Sequence, residues 1–220
     1  MIRAAFTILF TLTLLGCDQT ETLRYRLTVE VETPEGPKVG SSVIEVEVRE
    51  QSSEIHLGNR VRLRPRGEAA AVDLPNGRVL FALLRDETSS DAAKVYPWRA
   101  FDPPQGGGHE WGIHAARALK QTKGSRPIPP RYYPMLVTFG DLSDPTSIEQ
   151  VDPDDLAAAF GEGFCLKRIT VQITDDPVTN EIDKRLRWLV DTTIPGWQDL
   201  PLDTRRDLIG LRIGKVGSDK

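Results

Sequence analysis

Leu23-Arg24-Tyr25-Arg26-Leu27-Thr28-Val29-Glu30-Val31 alternates strictly. Tyr25, Leu27, Val29 and Val31 fall on one side, and Arg24, Arg26, Thr28 and Glu30 on the other. Side chains along a strand point to opposite faces in turn, so this is a half-buried strand. Pro34-Glu35-Gly36-Pro37 supplies a turn. From Val43 to Arg49 the alternation resumes, with Ile44, Val46 and Val48 inward and Glu45, Glu47 and Arg49 outward. The two runs predict an antiparallel hairpin.

Working downstream, Arg60-Val61-Arg62-Leu63-Arg64-Pro65-Arg66 puts all four arginines on one face at strand period. One reading is an anion-binding stripe for lipid headgroups or phosphorylated polymers. The plainer one is a solvated strand face whose arginines pair across the sheet with Glu45 and Glu47. Pro65 suits an edge or a strand end. Glu68–Leu74 and Arg78–Leu84 flank Pro75-Asn76-Gly77, a hairpin signal, and Val79–Leu84 is apolar on both faces, as a central covered strand requires. Met135–Phe139 reads as a buried strand, and Leu166–Thr174 as another in which Ile169, Val171 and Ile173 alternate.

Three short helices are predicted. His109–Lys120 carries Trp111, Ala115 and Leu119 on one stripe. Asp152-Pro153-Asp154-Asp155 opens the second, with Asp152 as its cap, Leu156 and Phe160 as anchors and Gly161 as its end. The third runs from Asn180 to Leu189, with Ile182, Leu186 and Leu189 inward. Six or seven strands arranged in hairpins, with three helices, define an α+β class built mainly on antiparallel sheet. One domain covers 23–213, and 214–220 is a frayed tail.

The composition is globular: 39% hydrophobic, 27% charged, net charge −4. A mildly acidic chain has no global attraction to nucleic acid. The two cysteines are Cys17 and Cys165.

Residues 1–16 read as a signal peptide. Met1-Ile2-Arg3 is a short positive start, and Ala4–Leu15 is a run of apolar residues and threonines twelve long. A membrane-spanning helix needs about 20, so the run is a signal core. Leu14-Leu15-Gly16-Cys17 follows, and it resembles the lipobox of bacterial lipoproteins. The resemblance implies a diacylglyceryl group on the Cys17 thiol, cleavage between Gly16 and Cys17, and acylation of the new amine. Two chains of about 15 methylenes at about 0.8 kcal/mol each hold more than about 20 kcal/mol of anchoring energy. Asp18 resembles the signal that retains lipoproteins in the inner membrane, and residues 17–22 form a short tether. The expected location is therefore the bacterial cell membrane, facing the periplasm or outside. With Cys17 lipidated, Cys165 has no intrachain partner and reads as a small buried apolar residue.

Chemical signatures are sparse. His109-Glu110-Trp111-Gly112-Ile113-His114 lacks zinc-protease spacing: its histidines are five apart, about 140° around a helix. Gly106-Gly107-Gly108 reads as a flexible loop, and Asp152, Asp154 and Asp155 lack calcium-loop spacing. No metal and no cofactor is predicted. The segment 96–133 concentrates aromatics beside proline and glycine, so Tyr96, Trp98, His109, Trp111 and His114 are candidates for a groove that takes a peptide or glycan strand. Alternatively, the same aromatics pack a lid onto the sheet.

Tyr25–Val31, Pro34-Glu35-Gly36, Gly40–Val46, Gly67-Glu68-Ala69, Val72-Asp73-Leu74, Leu80–Leu84, Tyr133–Val137 and Asp152–Leu156 together resemble a group of uncharacterised bacterial proteins over about residues 24–190. The resemblance implies a recurring domain and no particular activity. The functional expectation is a lipid-anchored binding or structural module close to the membrane, with an envelope protein or glycan as partner. The alternative is an envelope hydrolase or glycan-modifying enzyme using His109, Glu110 or Asp102 beside the aromatic segment.

Overall fold

The structure, a computed structural model of the 220-residue chain, describes residues 19–51, 60–101, 112–189, 194 and 196–213. Lipidation and cleavage at Gly16 and Cys17, and the predicted tail 214–220, lie outside the described residues.

The class is α+β and β-rich, as expected, with ten strands in two antiparallel sheets and four α-helices among the described residues. The opening hairpin forms as the alternation requires. Strand β1 (Gln19–Glu32) pairs with β2 (Lys38–Gln51) from Gln19 opposite Glu50 to Val31 opposite Lys38. Leu23, Tyr25, Leu27, Val29 and Val31 are fully buried, and Ile44, Val46 and Val48 join them. Gly36 takes a positive φ of 98° in the turn, where only glycine is unstrained. Strand β1 starts earlier than the alternation predicts, so Gln19–Thr22 of the expected tether belong to the sheet.

Strand β3 (Arg60–Glu68) lies beside β2 with Pro65 opposite Val46, and among the described residues no strand pairs with Pro65 on its other side, so this stretch is an edge. One residue on, β4 (Ala70–Asp73) enters the second sheet and pairs with β5 (Val79–Ala82) through the Pro75–Gly77 turn. The break at Ala69 divides what reads in the sequence as one strand from Glu68 to Leu74. Strand β5 is central and buried on both faces, as predicted.

The remaining elements are helix α1 (Tyr96–Phe101), helix α2 (Ile113–Lys120), strand β6 (Ser125–Pro127), β7 (Leu136–Phe139), β8 (Ile148–Val151), helix α3 (Leu156–Phe160), β9 (Cys165–Ile173), helix α4 (Leu202–Gly210) and β10 (Arg212–Ile213). The sheet orders are β10-β3-β2-β1-β9-β6 and β4-β5-β7-β8. The main core fills the space between them, with Val72, Leu80, Ala82, Leu136 and Val151 meeting the inward row of β1 and β2. Helices α1 and α2 close this core with Tyr96, Trp98, Ile113, Ala116 and Leu119. The far face of the second sheet has its own cluster, where Phe81, Val137 and Phe139 pack under Ile182, Leu186, Leu208 and Leu211. The outer face of the first sheet is left to charge.

Several local readings are corrected. The helix predicted over 109–120 begins at Ile113 among the described residues, and its inward row is Ile113, Ala116 and Leu119 with Ala115 half-buried. Asp155, not Asp152, caps α3 by accepting from the Ala158 N–H at 3.1 Å. Asp152 instead accepts from Asp154 N–H at 2.9 Å, closing a local turn before the helix. Gly161 ends α3 with φ 103°, as predicted. The expected helix over 180–189 is two 3-10 turns, Ile182–Lys184 and Arg187–Leu189. The buried Glu68 carboxylate accepts from the N–H groups of Glu181 at 2.7 Å and Ile182 at 3.2 Å, tying the first turn to β3. Cys165 is exposed rather than buried, because it opens β9 beyond the edge of the core.

Candidate functional site

After β5 the backbone keeps pairing with the segment before β7: Leu83 N–H donates to Met135 and Met135 N–H to Arg85, both at 2.9 Å. The chain then turns at Asp86. Its Oδ1 accepts from Thr88 N–H, Thr88 Oγ1 and Ser89 N–H, each at 2.8 Å, and Arg99 of α1 donates to Oδ2. Burial pushes the Asp86 carboxyl up, but the bonds from Arg99 and Thr88 outweigh it and hold the group below the usual carboxylate range. A buried charge with this many donors fixes the turn in one shape.

Arg99 also lies 4.4 Å from the centre of the Tyr132 ring, and Arg131 sits 4.7 Å from the same ring. This cation–π contact sets the Pro130–Tyr132 turn against α1. Ile128 N–H donates to Ile169 of β9 at 2.9 Å, so the proline-rich stretch runs along the side of the first sheet. The Tyr133 hydroxyl is pushed up by burial, while a backbone hydrogen bond at Ile169 works the other way.

Three segments thus enclose a cleft of about 510 Å³: the Asp86–Thr88 turn, the Pro130–Leu136 stretch, and Gln150–Pro153 at the end of β8. Tyr133 and Met135, both half-buried, give it an apolar wall beside buried Val151. Glu87, Arg131 and Asp152 are exposed on its rim and hold no ion pair among the described residues. β8 is the outer strand of its sheet. An outer strand beside a half-apolar cleft with charged groups offers main-chain pairing, apolar contact and ion pairing to an extended chain.

A second depression, about 590 Å³, opens at the Gln19 end of the first sheet between Thr22 and Arg24, the Lys120–Gly124 loop and the Gln172–Asp175 segment. No family model, curated protein or solved structure matches this chain.

The residues singled out from the sequence are dispersed. Tyr96 and Trp98 are buried in the main core, with the Tyr96 hydroxyl donating to the Arg85 carbonyl at 3.3 Å, so they line no surface groove. They act as the packed lid. His114 is exposed on α2, and His109 and Trp111 lie outside the described residues, with Asp102 and Glu110. On β3, Arg66 meets Glu45 at 2.7 Å, and Arg24 meets the same carboxylate at 2.7 Å. Arg64 stands 4.0 Å from Glu47. Arg62 faces Arg49 across the ladder, and the Arg60 side chain is outside the described set. The stripe is therefore partly consumed by cross-strand pairs. Of the cleft residues, Pro130, Arg131 and Tyr133 fall in the aromatic segment. Glu87 hid in a polar turn, and Asp152 read as a helix cap.

Proposed function

We propose that this protein is lipid-anchored through Cys17 in the bacterial cell envelope, and that its sandwich binds an extended polypeptide of an envelope partner at the lateral cleft. The position of β8 carries the binding reading. It is the outer strand of its sheet, and its Gln150–Val151 end forms one wall of the cleft. Added strands gain main-chain hydrogen bonds from such an edge and specificity from pockets beside it. Here Glu87 and Asp152 favour a lysine or arginine on the incoming chain, and Tyr133 and Met135 favour an apolar neighbour.

The start of β1 supports the anchor. Gln19 opens the strand two residues after Cys17, so the remaining tether spans about 7 Å. The domain then stands directly on the bilayer. Ile169, to whose carbonyl Ile128 is bonded, is level with Val29, ten residues along β1 from Gln19. At about 3.3 Å per residue the cleft lies roughly 33 Å along β1 from Gln19 and, with the tether, roughly 40 Å from the anchor, within reach of a periplasmic or extracellular partner.

Two measurements in intact cells test this. Radiolabelled palmitate incorporated by wild type and not by Cys17→Ala supports the anchor, and equal labelling removes it. A photo-reactive residue at Glu87 should capture a discrete protein, and the same residue at Lys184, on the far side of the second sheet, should not. Capture from neither position, or from both equally, removes the cleft as the binding site.

A further inference from the structure

Resting on the anchored reading for its orientation, we infer that the Gln19 end of the sandwich docks on anionic phospholipid headgroups. Among the described side chains, strand ends and helix α2 bring seven cations to this end: Arg24, Arg49, Arg62, Arg64, Arg117, Lys120 and Lys123. Five carboxylates stand among them, Glu21, Glu45, which holds Arg24 at 2.7 Å, Glu47, Glu50 and Asp175. The chain as a whole has a net charge of −4, so this end opposes the sign of the molecule.

The pairing leaves cations over. Glu21 serves both Lys120, at 2.6 Å, and Arg117, at 3.5 Å. Glu47 serves both Arg49, at 3.6 Å, and Arg64, at 4.0 Å. Arg62 and Lys123 have no ion pair among the described residues. Arg49 and Arg62 also face each other directly across β2 and β3. Like charges opposed on a ladder are destabilising, and an external anion between them removes that repulsion.

The other end of β1 is built the opposite way. There Lys167 meets Glu32 at 2.6 Å, Arg168 meets Glu30 at 2.8 Å, and Lys38 meets Glu35 at 3.6 Å. Glu162 and Asp154 carry no ion pair among the described residues. The molecule is polarised along β1, with its positive pole toward residue 19.

The occupant follows from where the chain leads. Asp18 alone separates Gln19 from Cys17, so at about 3.3 Å per residue an acylated Cys17 places headgroups roughly 10 Å from Arg49 and Arg62, level with Thr20, and roughly 17 Å from Arg64, level with Thr22, about one to two Debye lengths. The depression between Arg24, Lys120 and Lys123 is about 590 Å³, room for a phosphodiester headgroup. Positive side chains close to a bilayer are drawn to anionic lipid and release from it as salt rises.

The test uses full-length acylated protein reconstituted into vesicles of phosphatidylcholine alone, or mixed with phosphatidylglycerol. Lysine reactivity toward an amine-acylating reagent is read by mass spectrometry, with Lys167 as the internal reference. In the phosphatidylglycerol vesicles at low salt, Lys123 and Lys120 should lose reactivity about fivefold, and high salt should restore it. The variant Arg62→Glu with Lys123→Glu should leave Lys120 equally reactive in both vesicle types. Acylated wild type with the same Lys120 and Lys123 reactivity in both overturns the docking and leaves the anchor standing. Native protein without acyl chains overturns the anchored reading and the docking together.

Discussion

Arg85 and Asp207 meet inside the molecule, the Arg85 guanidinium donating to Oδ1 of Asp207 while both side chains are more than nine-tenths hidden from solvent. The Gln150 amide donates to the other carboxylate oxygen at 2.9 Å. One carboxylate on α4 thus ties the C-terminal layer to the chain after β5 and to β8. Removing one partner of a buried pair strands the other charge. Asp207→Ala should cost about 3–5 kcal/mol. Arg85→Met with Asp207→Leu should cost much less, because no charge is then left in the interior. Urea unfolding of the three proteins checks both, and equal losses would contradict the pair's role.

Gly40 lies where β2 crosses β4. A Cβ there would run into the Ala71 carbonyl and stand 2.9 Å from the Val72 Cα. Because both obstacles are backbone, they cannot swing aside, and the sheets would have to part. Gly40→Ala should therefore destabilise by about 1–3 kcal/mol. Gly77→Ala, whose Cβ meets nothing within 4 Å, should lose only the smaller cost of its positive φ. Thermal midpoints of the two variants give the comparison.

Acid should weaken the fold through Asp86 and Asp73. A hydrogen bond from Arg185 holds Asp73 below its ordinary range, and Arg99 and Thr88 do so for Asp86 against the upward push of burial. A carboxyl lowered in the folded state gives stability that is present above its unfolded value, about 3.9, and lost as pH falls through the folded one. The urea midpoint should be steady from neutral pH down to about 5, then drop below about 4. Asp86→Asn should start lower at neutral pH and fall less steeply in acid.

Alkali should act through Tyr25 and Tyr96. Both hydroxyls are pushed well above the usual value by burial, Tyr25 further by Tyr96, and Tyr96 further by Asp86. The Tyr25 hydroxyl donates to the Ala93 carbonyl at 2.6 Å. Because the folded values are raised, this stabilisation is whole below about pH 10 and lost as pH rises beyond it. Ultraviolet titration should show both tyrosines ionising together with unfolding. A smooth titration of all four tyrosines in folded protein would refute this.

Cys165 should react in the folded state. Its thiol is exposed at the start of β9. Native protein should take up a maleimide without denaturant. If Cys17 is acylated, denaturant should reveal no second thiol.

The hairpin was legible because Tyr25, Leu27, Val29 and Val31 alternate without a break, and such a pattern buries in only one register. Val79–Ala82 was legible for the opposite reason, since a run apolar on both faces has to be covered twice. Helix α1 was not: Tyr96, Pro97 and Trp98 are poor helix formers, and their burial in the main core sets their conformation. Asp152 and Asp155 present the same chemistry to a helix start, and only the local turn at Asp152 distinguishes them. The 3-10 turns after Asn180 depend on Glu68, 113 residues from Glu181 in sequence. The cleft was invisible for a similar reason. Its walls come from three separate segments, and its rim charges, Glu87 and Asp152, read singly as loop and cap.

Strand β1 enters at Gln19 and is bonded to β2 along nearly its whole length and to β9 along its second half. Tension applied at residue 19 would therefore run along the strand axis and load both ladders in shear. Their hydrogen bonds would have to fail together rather than peel one by one. A domain held by its N-terminus at that point is mechanically strongest in the direction from which it would be pulled.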